Sequence, residues 1–163
     1  NFTHHIDRKP YLNIGVTSYK IMLDAADMKI IELLQEDSSQ TYAELAKKLG
    51  MKESTVRKRI LALRDKGVIK RFTVILDPSK MGFQIVAIVG VDVDPSKFLT
   101  AARELARIPE TRYVATSTGD HMIMAEIWAR DGQELSRIIS EKVGAIDGVL
   151  RVCPSIIFER IKG

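Results

Sequence analysis

Thr41-Tyr42-Ala43-Glu44-Leu45-Ala46-Lys47-Lys48-Leu49-Gly50-Met51-Lys52-Glu53-Ser54-Thr55-Val56-Arg57-Lys58-Arg59-Ile60 is the stretch whose reading decides the fold. Thr41 and Glu44 have the spacing of a capping box, so a helix starts here. Leu45 and Leu49 supply its buried side, and Gly50 suits its C-terminal cap. After the tight turn Gly50-Met51-Lys52, a second helix is predicted from Glu53 to Lys66, closed by Gly67. Val56, Ile60 and Leu63 form its apolar stripe at about 100° per residue. Two helices joined by so short a turn make a helix-turn-helix. With the stripe turned inward, Ser54 and Lys58 point nearly opposite, and Thr55 and Arg57 flank them. Arg and Lys reach guanine acceptors or phosphates, and Ser and Thr bond base edges or backbone oxygens.

Charge concentrates in the same place. The 163 residues carry 25 Lys and Arg against 21 Asp and Glu, a net charge of +4. Between Lys52 and Arg71, Lys52, Arg57, Lys58, Arg59, Arg64, Lys66, Lys70 and Arg71 face only Glu53 and Asp65. From Met81 onward the chain is about neutral. A basic run on a helix is either a solvated face or the electrostatic footprint of a nucleic acid, and the helix-turn-helix favours the second.

Upstream, Leu23-Asp24-Ala25-Ala26-Asp27-Met28 predicts another helix start. Asp24 is the N-cap, and Met28, Ile31 and Leu34 follow at helical spacing. Downstream, Val68–Leu76 is β-branched and ends at Asp77-Pro78, which predicts a strand with Lys70 and Arg71 at its basic end. Residues 71–82 are expected to join two domains, 23–70 and 83–163, with Asp77–Gly82 as the hinge.

The second domain reads as a doubled strand–helix–strand. Strands are expected over Gln84–Val93, Arg112–Ser117, His121–Trp128 and Val149–Arg160. Helices are expected over Ser96–Ile108 and after Asp131, the latter lined by Leu135, Ile138, Ile139 and Val143. The order βαββαβ is that of a ferredoxin-like sandwich, and the whole is an α+β protein. Ile85, Ala87, Val89, Val91 and Val93 line one side of the first strand, and Val86 and Ile88 the other. Two helices cover one face of such a sheet. The other needs a partner, a second copy or the first domain.

The 45% hydrophobic content is enough for a core, and one cysteine excludes an intramolecular disulfide and a Cys-rich zinc site. Cys153, on an apolar strand, is expected to be buried and inert. No apolar run approaches the length of a membrane span, and residues 1–20 lack the order of a secretory signal. Residues 1–22 read as an extension, a native arm or a product of how the chain was made. His4-His5 without further ligands does not predict a metal site, and Asn1-Phe2-Thr3 fits a glycosylation sequon by pattern only.

These motifs, in order, resemble the Lrp/AsnC (feast/famine) transcription regulators: Leu23-Asp24-x-x-Asp27-x-x-Ile30-Ile31-x-x-Leu34-Gln35, Glu44-Leu45-Ala46, Gly50-Met51-x-x-Ser54-Thr55-Val56-x-x-Arg59-Ile60, Gly67-Val68-Ile69 and Asp77-Pro78-x-x-Met81-Gly82. The resemblance spans Leu23 to about Ile161. It implies a winged helix-turn-helix domain followed by an effector-binding and assembly domain, with dimers joined through their sheets and often built into octamers. It implies double-stranded DNA as partner, modulation by an amino acid or related metabolite, a cytoplasmic location, and neither cofactor nor catalytic residues. Carried over, the DNA candidates become Ser54, Thr55, Arg57 and Lys58; beside them, Lys52 and the pair Lys70 and Arg71 directly after the basic helix are the candidates for phosphate contact. The family's effector loop often reads Gly-Asp-x-Asp. Here it is Gly119-Asp120-His121-Met122, and Met122 stands where the second carboxylate would hold a ligand's ammonium group. His121 reads as an exposed turn residue, with a ligand contact or a pH-sensitive group as its other readings. Lys52 departs too, standing where a Ser often caps the recognition helix. Two other readings use the same fold: a tetrapyrrole decarboxylase-like enzyme, which would need a cationic pocket, and an architectural DNA-packing protein.

Overall fold

The computed structural model describes residues Leu23 to Ile161. The extension at 1–22, with His4-His5 and the Asn1 sequon, lies outside the described residues. The chain divides into two compact units between Val74 and Ile75.

The first unit holds three helices, α1 (Ala25–Glu36), α2 (Tyr42–Leu49) and α3 (Glu53–Asp65). Asp24 caps α1 and Thr41 caps α2, each through a reciprocal capping box. Each box satisfies backbone N–H groups that the first helical turn leaves open. Gly50 ends α2 at φ 62°, the left-handed conformation in which a side chain would be strained. Ile30, Leu33, Leu45, Ala46, Val56, Ile60 and Leu63 form the core. The stripe expected on α1 is displaced by one residue: Ile30 and Leu33 are buried, whereas Met28 is exposed and Ile31 and Leu34 only half-buried. Ile30-Ile31 and Leu33-Leu34 offer two adjacent apolar stripes of equal period, and packing against α2 and α3 chooses between them.

The strand expected over Val68–Leu76 does not form. Val68 and Ile69 donate their backbone N–H groups to Leu63 O at 2.9 and 3.1 Å and pack on the helical core. Beyond them the segment is exposed and joins no sheet. β-branched residues favour extended backbone, but a strand needs a neighbour to take its hydrogen bonds, and no described segment pairs with this one.

The second unit carries β1 (Ile85–Val93), α4 (Phe98–Leu105), β2 (Thr111–Thr116), β3 (Ile123–Ala129), α5 (Gly132–Arg137) and β4 (Val149–Ile156). The sheet order is β2-β3-β1-β4, with every neighbouring pair antiparallel. This is the α+β sandwich expected from βαββαβ. α5 continues into a π-helical turn, Ile138–Val143, whose i→i+5 repeat brings Ile138 and Val143 to the same side, both buried. Ala87, Val89, Val91 and Val93 meet Ile123, Ala125 and Ile127 on one face, under Ala101 and Leu105 of α4 and Leu135 of α5. By alternation and register, Val86, Ile88, Gly90 and Asp92 lie on the other face with Tyr113, Met124, Glu126, Trp128 and Cys153.

Two strand ends differ from the sequence reading by more than one residue. β4 stops at Ile156, and Phe158 and Ile161 beyond it are exposed. β3 begins at Ile123, so His121 and Met122 belong to the turn, closed by Ser117 N donating to Met122 O at 2.9 Å.

Candidate functional site

α3 owes its orientation to two kinds of contact. Val56, Ile60 and Leu63 are each at most 1% exposed and anchor one face in the core. Arg59 then fastens its flank: the guanidinium donates at 2.7 Å to both Asp24 and Asp27 at the start of α1. Hydrogen bonds from the Asp27 backbone N–H, and then from Arg59, hold the Asp24 carboxyl below its ordinary range. Arg59 therefore belongs to the scaffold.

The outward face holds the residues singled out from the sequence. Ser54, Thr55, Arg57 and Lys58 are all exposed on α3. Lys52 is the N-cap, and its side chain makes no capping hydrogen bond, while its carbonyl accepts from Thr55 N and Val56 N. The first turn of α3 thus has no side-chain cap, and the Lys52 cation stands beside the Glu53 carboxylate there. Arg57 lies with Cζ 5.6 Å from the centre of the Tyr42 ring, a contact between α2 and α3 that periodicity alone could not show. Lys70 and Arg71 are exposed in the extended segment after α3.

The turn in the second unit is arranged differently from its sequence reading. Gly119 and Asp120 are exposed, and Gly119 N donates to Ser117 Oγ at 3.1 Å. His121 is not an exposed turn residue: its side chain is 18% exposed. The ring lies over Gly90 of β1, where an added Cβ would come within 2.1 Å of His121 Cδ2. Nδ1 donates to Asp92, 3.2 Å from each carboxylate oxygen. Arg151 stands on the other side of Asp92, its Nε 3.6 Å from Oδ2, and donates to Cys153 Sγ at 3.0 Å. Cys153 is accordingly half-buried and accepts from Arg151, not sealed in the core as expected. The sequence signal for this arrangement was Gly90, an isolated glycine in a β-branched strand, which marks a close approach by another group.

A second cluster on this face was not anticipated. Trp128 packs 5.7 Å from the Phe83 ring and carries the Arg112 guanidinium 4.7 Å above its own. Glu126 accepts from Trp128 Nε1 and from Arg160, both at 2.7 Å. Phe83, Val86, Trp128, Ile157 and Arg160 help to line a surface cavity of about 370 Å³, which does not include the turn residues. Among the described residues no His, Cys, Asp and Glu side chains group as metal ligands, and no helix is long and apolar enough to cross a membrane.

Comparison with known proteins agrees with this geometry. Residues 23–70 match the family described as winged helix-turn-helix DNA-binding, and residues 86–163 match the Lrp/AsnC ligand binding domain. The chain is 48% identical over 141 residues to the HTH-type transcriptional regulator LrpA of Pyrococcus horikoshii, covering 86% of this chain and 100% of that protein. Among solved structures, Escherichia coli AsnC superposes with a TM-score of 0.79 at 22% identity, covering 87% of this chain and 96% of that one. The Neisseria meningitidis regulator NMB0573, solved as its L-Met complex, has a TM-score of 0.78 at 22% identity, covering 87% and 94%. At that identity both structures speak to the fold alone. The helix-turn-helix, the antiparallel sandwich and the full-length match to LrpA converge: the chain belongs to the Lrp/AsnC family of DNA-binding transcription regulators.

Proposed function

We propose that this regulator acts as a dimer or larger assembly, reads duplex DNA with α3 and is modulated by an amino acid or related small metabolite. One observation carries the DNA assignment. α3 turns Val56, Ile60 and Leu63 into the core and leaves Ser54, Thr55, Arg57 and Lys58 outward at its N-terminal end. That end of a recognition helix meets base edges. Lys52, Lys70 and Arg71 add phosphate contacts on either side, which set affinity and salt dependence without sequence preference.

Assembly is supported by the sheet face away from α4 and α5. Val86, Ile88 and Met124 are only half-buried there, and Tyr113 is exposed. A second copy would cover this apolar surface and present two recognition helices to half-sites on one side of the duplex. Effector binding is assigned to the turn Gly119-Asp120-His121-Met122. Met122 cannot hold an ammonium group, but Asp120 is exposed and available to one. The L-Met complex of a fold relative makes amino acids the first class to test. We also propose a cytoplasmic location.

Gel shift on the chain's own promoter tests the DNA face. Arg57→Ala with Lys58→Ala is expected to abolish the shift while leaving the circular-dichroism spectrum unchanged. Tight binding by that double variant refutes the site. A thermal-shift screen of amino acids, with and without the promoter, tests the effector, because a bound ligand stabilises by mass action. Loss of the response on Asp120→Ala assigns it to the turn.

A further inference from the structure

We propose that Tyr42 is a positioning residue for DNA recognition, its ring acting as a platform that holds the Arg57 guanidinium in reading geometry. The inference rests on α3 being the DNA-reading helix and goes beyond it by assigning a role to a residue of the other helix.

Tyr42 is the first residue of α2, directly after its Thr41 cap. That capping box fixes the start of α2, with Thr41 Oγ1 accepting from Glu44 N at 3.2 Å and Glu44 Oε2 accepting from Thr41 N at 2.7 Å. Tyr42 is half-buried and packs against the helical core, which restrains its side chain. Arg57 lies one turn into α3, exposed, with Cζ 5.6 Å from the ring centre. Arg57 and Arg59, two of the arginines of this helix, are held differently. Arg59 is fastened by two carboxylates, whereas no carboxylate pairs with Arg57 among the described residues. A carboxylate would occupy the fork and cancel its charge. An aromatic face restrains the guanidinium while leaving its N–H donors free for a guanine edge. Restraint before binding reduces the rotamer entropy lost when a long side chain docks. The expected signature is therefore a gain confined to the sequence that Arg57 reads.

The test uses the full chain, a duplex selected by the wild-type protein from a randomised pool, and an unrelated duplex of equal length at the same salt. Tyr42→Phe keeps the platform and is expected to bind as wild type. Tyr42→Leu keeps apolar bulk but removes the π-face. It is expected to lose about two- to fivefold per half-site on the selected duplex and nothing on the unrelated one. Tyr42→Leu with Arg57→Ala is expected to bind no more weakly than Arg57→Ala alone, because both act through one contact. Additive losses, or wild-type binding by Tyr42→Leu while Arg57→Ala is weakened, overturn the platform and leave the recognition helix standing. Wild-type binding by Arg57→Ala overturns the recognition-helix assignment itself. One measurement needs neither DNA nor the Leu variant: ring current from Tyr42 should move the Arg57 side-chain proton resonances upfield in the free protein. Unshifted resonances there refute the contact.

Discussion

Gly90→Ala is a single-methyl perturbation whose consequence can be worked from the structure. The added Cβ would lie 2.1, 2.4 and 2.7 Å from Cδ2, Cγ and Nε2 of His121, all inside contact distance. The strand is pinned by ladders to β3 and β4, so the ring has to move. It leaves the hydrogen bond to Asp92, worth about 1 kcal/mol net, and the packing of one ring face, worth about 1 kcal/mol more. Ala in place of Gly in a strand returns about 0.5–1 kcal/mol of backbone entropy. The balance is a loss of about 1–1.5 kcal/mol. For a unit of this size that lowers the melting midpoint by about 4–10 °C. In a His121→Ala background there is no ring to displace, so Gly90→Ala should raise stability by about 0.5–1 kcal/mol. Thermal unfolding of the four proteins in the cycle measures this change of sign. If Gly90→Ala destabilises equally in both backgrounds, the ring is not what occupies the space above Gly90 and the reasoning fails.

Other perturbations address the first unit. Lys52→Ser supplies the missing cap of α3 and should stabilise by about 1 kcal/mol, while the salt dependence of DNA binding loses about one unit of slope with the cation. Unchanged slope would remove Lys52 from the phosphate contacts. Ile60→Ala empties a site that is 1% exposed and should cost about 2–5 kcal/mol, enough to unfold the three helices and abolish DNA binding; a folded, DNA-binding variant would contradict the assigned core. Asp24 and Glu44 are both held below the ordinary carboxylate range, chiefly by backbone N–H groups of the capping boxes and then by Arg59 and Thr41 respectively. Because the folded values lie below the unfolded ones, the stabilisation is complete above about pH 5 and is lost as pH falls through about 4 and below. Asp24→Asn with Glu44→Gln should flatten that acid limb of the melting midpoint, and an unaltered pH profile would show that other groups set it.

Local rules make much of this protein legible because they act over three or four residues. Thr41 with Glu44 and Asp24 with Asp27 announce two helix starts, and both boxes form as spaced. Val56, Ile60 and Leu63 leave one way to bury α3, which turns Ser54, Thr55, Arg57 and Lys58 outward. The alternation in β1 and β3 names the core face of the sheet, because side chains in a strand point to opposite sides in turn. The candidate DNA face could therefore be read directly, since it is what remains when a helix buries its stripe.

Four features depend on groups distant in sequence, and only the tertiary structure decides them. α1 offers two apolar stripes of the same period, and contact with α2 and α3 selects Ile30 and Leu33. Val68–Leu76 has strand composition, yet a strand is a relation between two segments, and the described chain supplies no second one. His121 follows a turn signal and would read as exposed, but Gly90, thirty-one positions earlier, leaves the space its ring fills, and Asp92 supplies the acceptor. The same holds for Tyr42 and Arg57, which meet only because α2 and α3 pack together. Sequence alone determined which local elements form and which faces they bury, because caps and periodicity are short-range. Packing decided which side chains from different elements share a site, because that depends on where the folded backbone brings them.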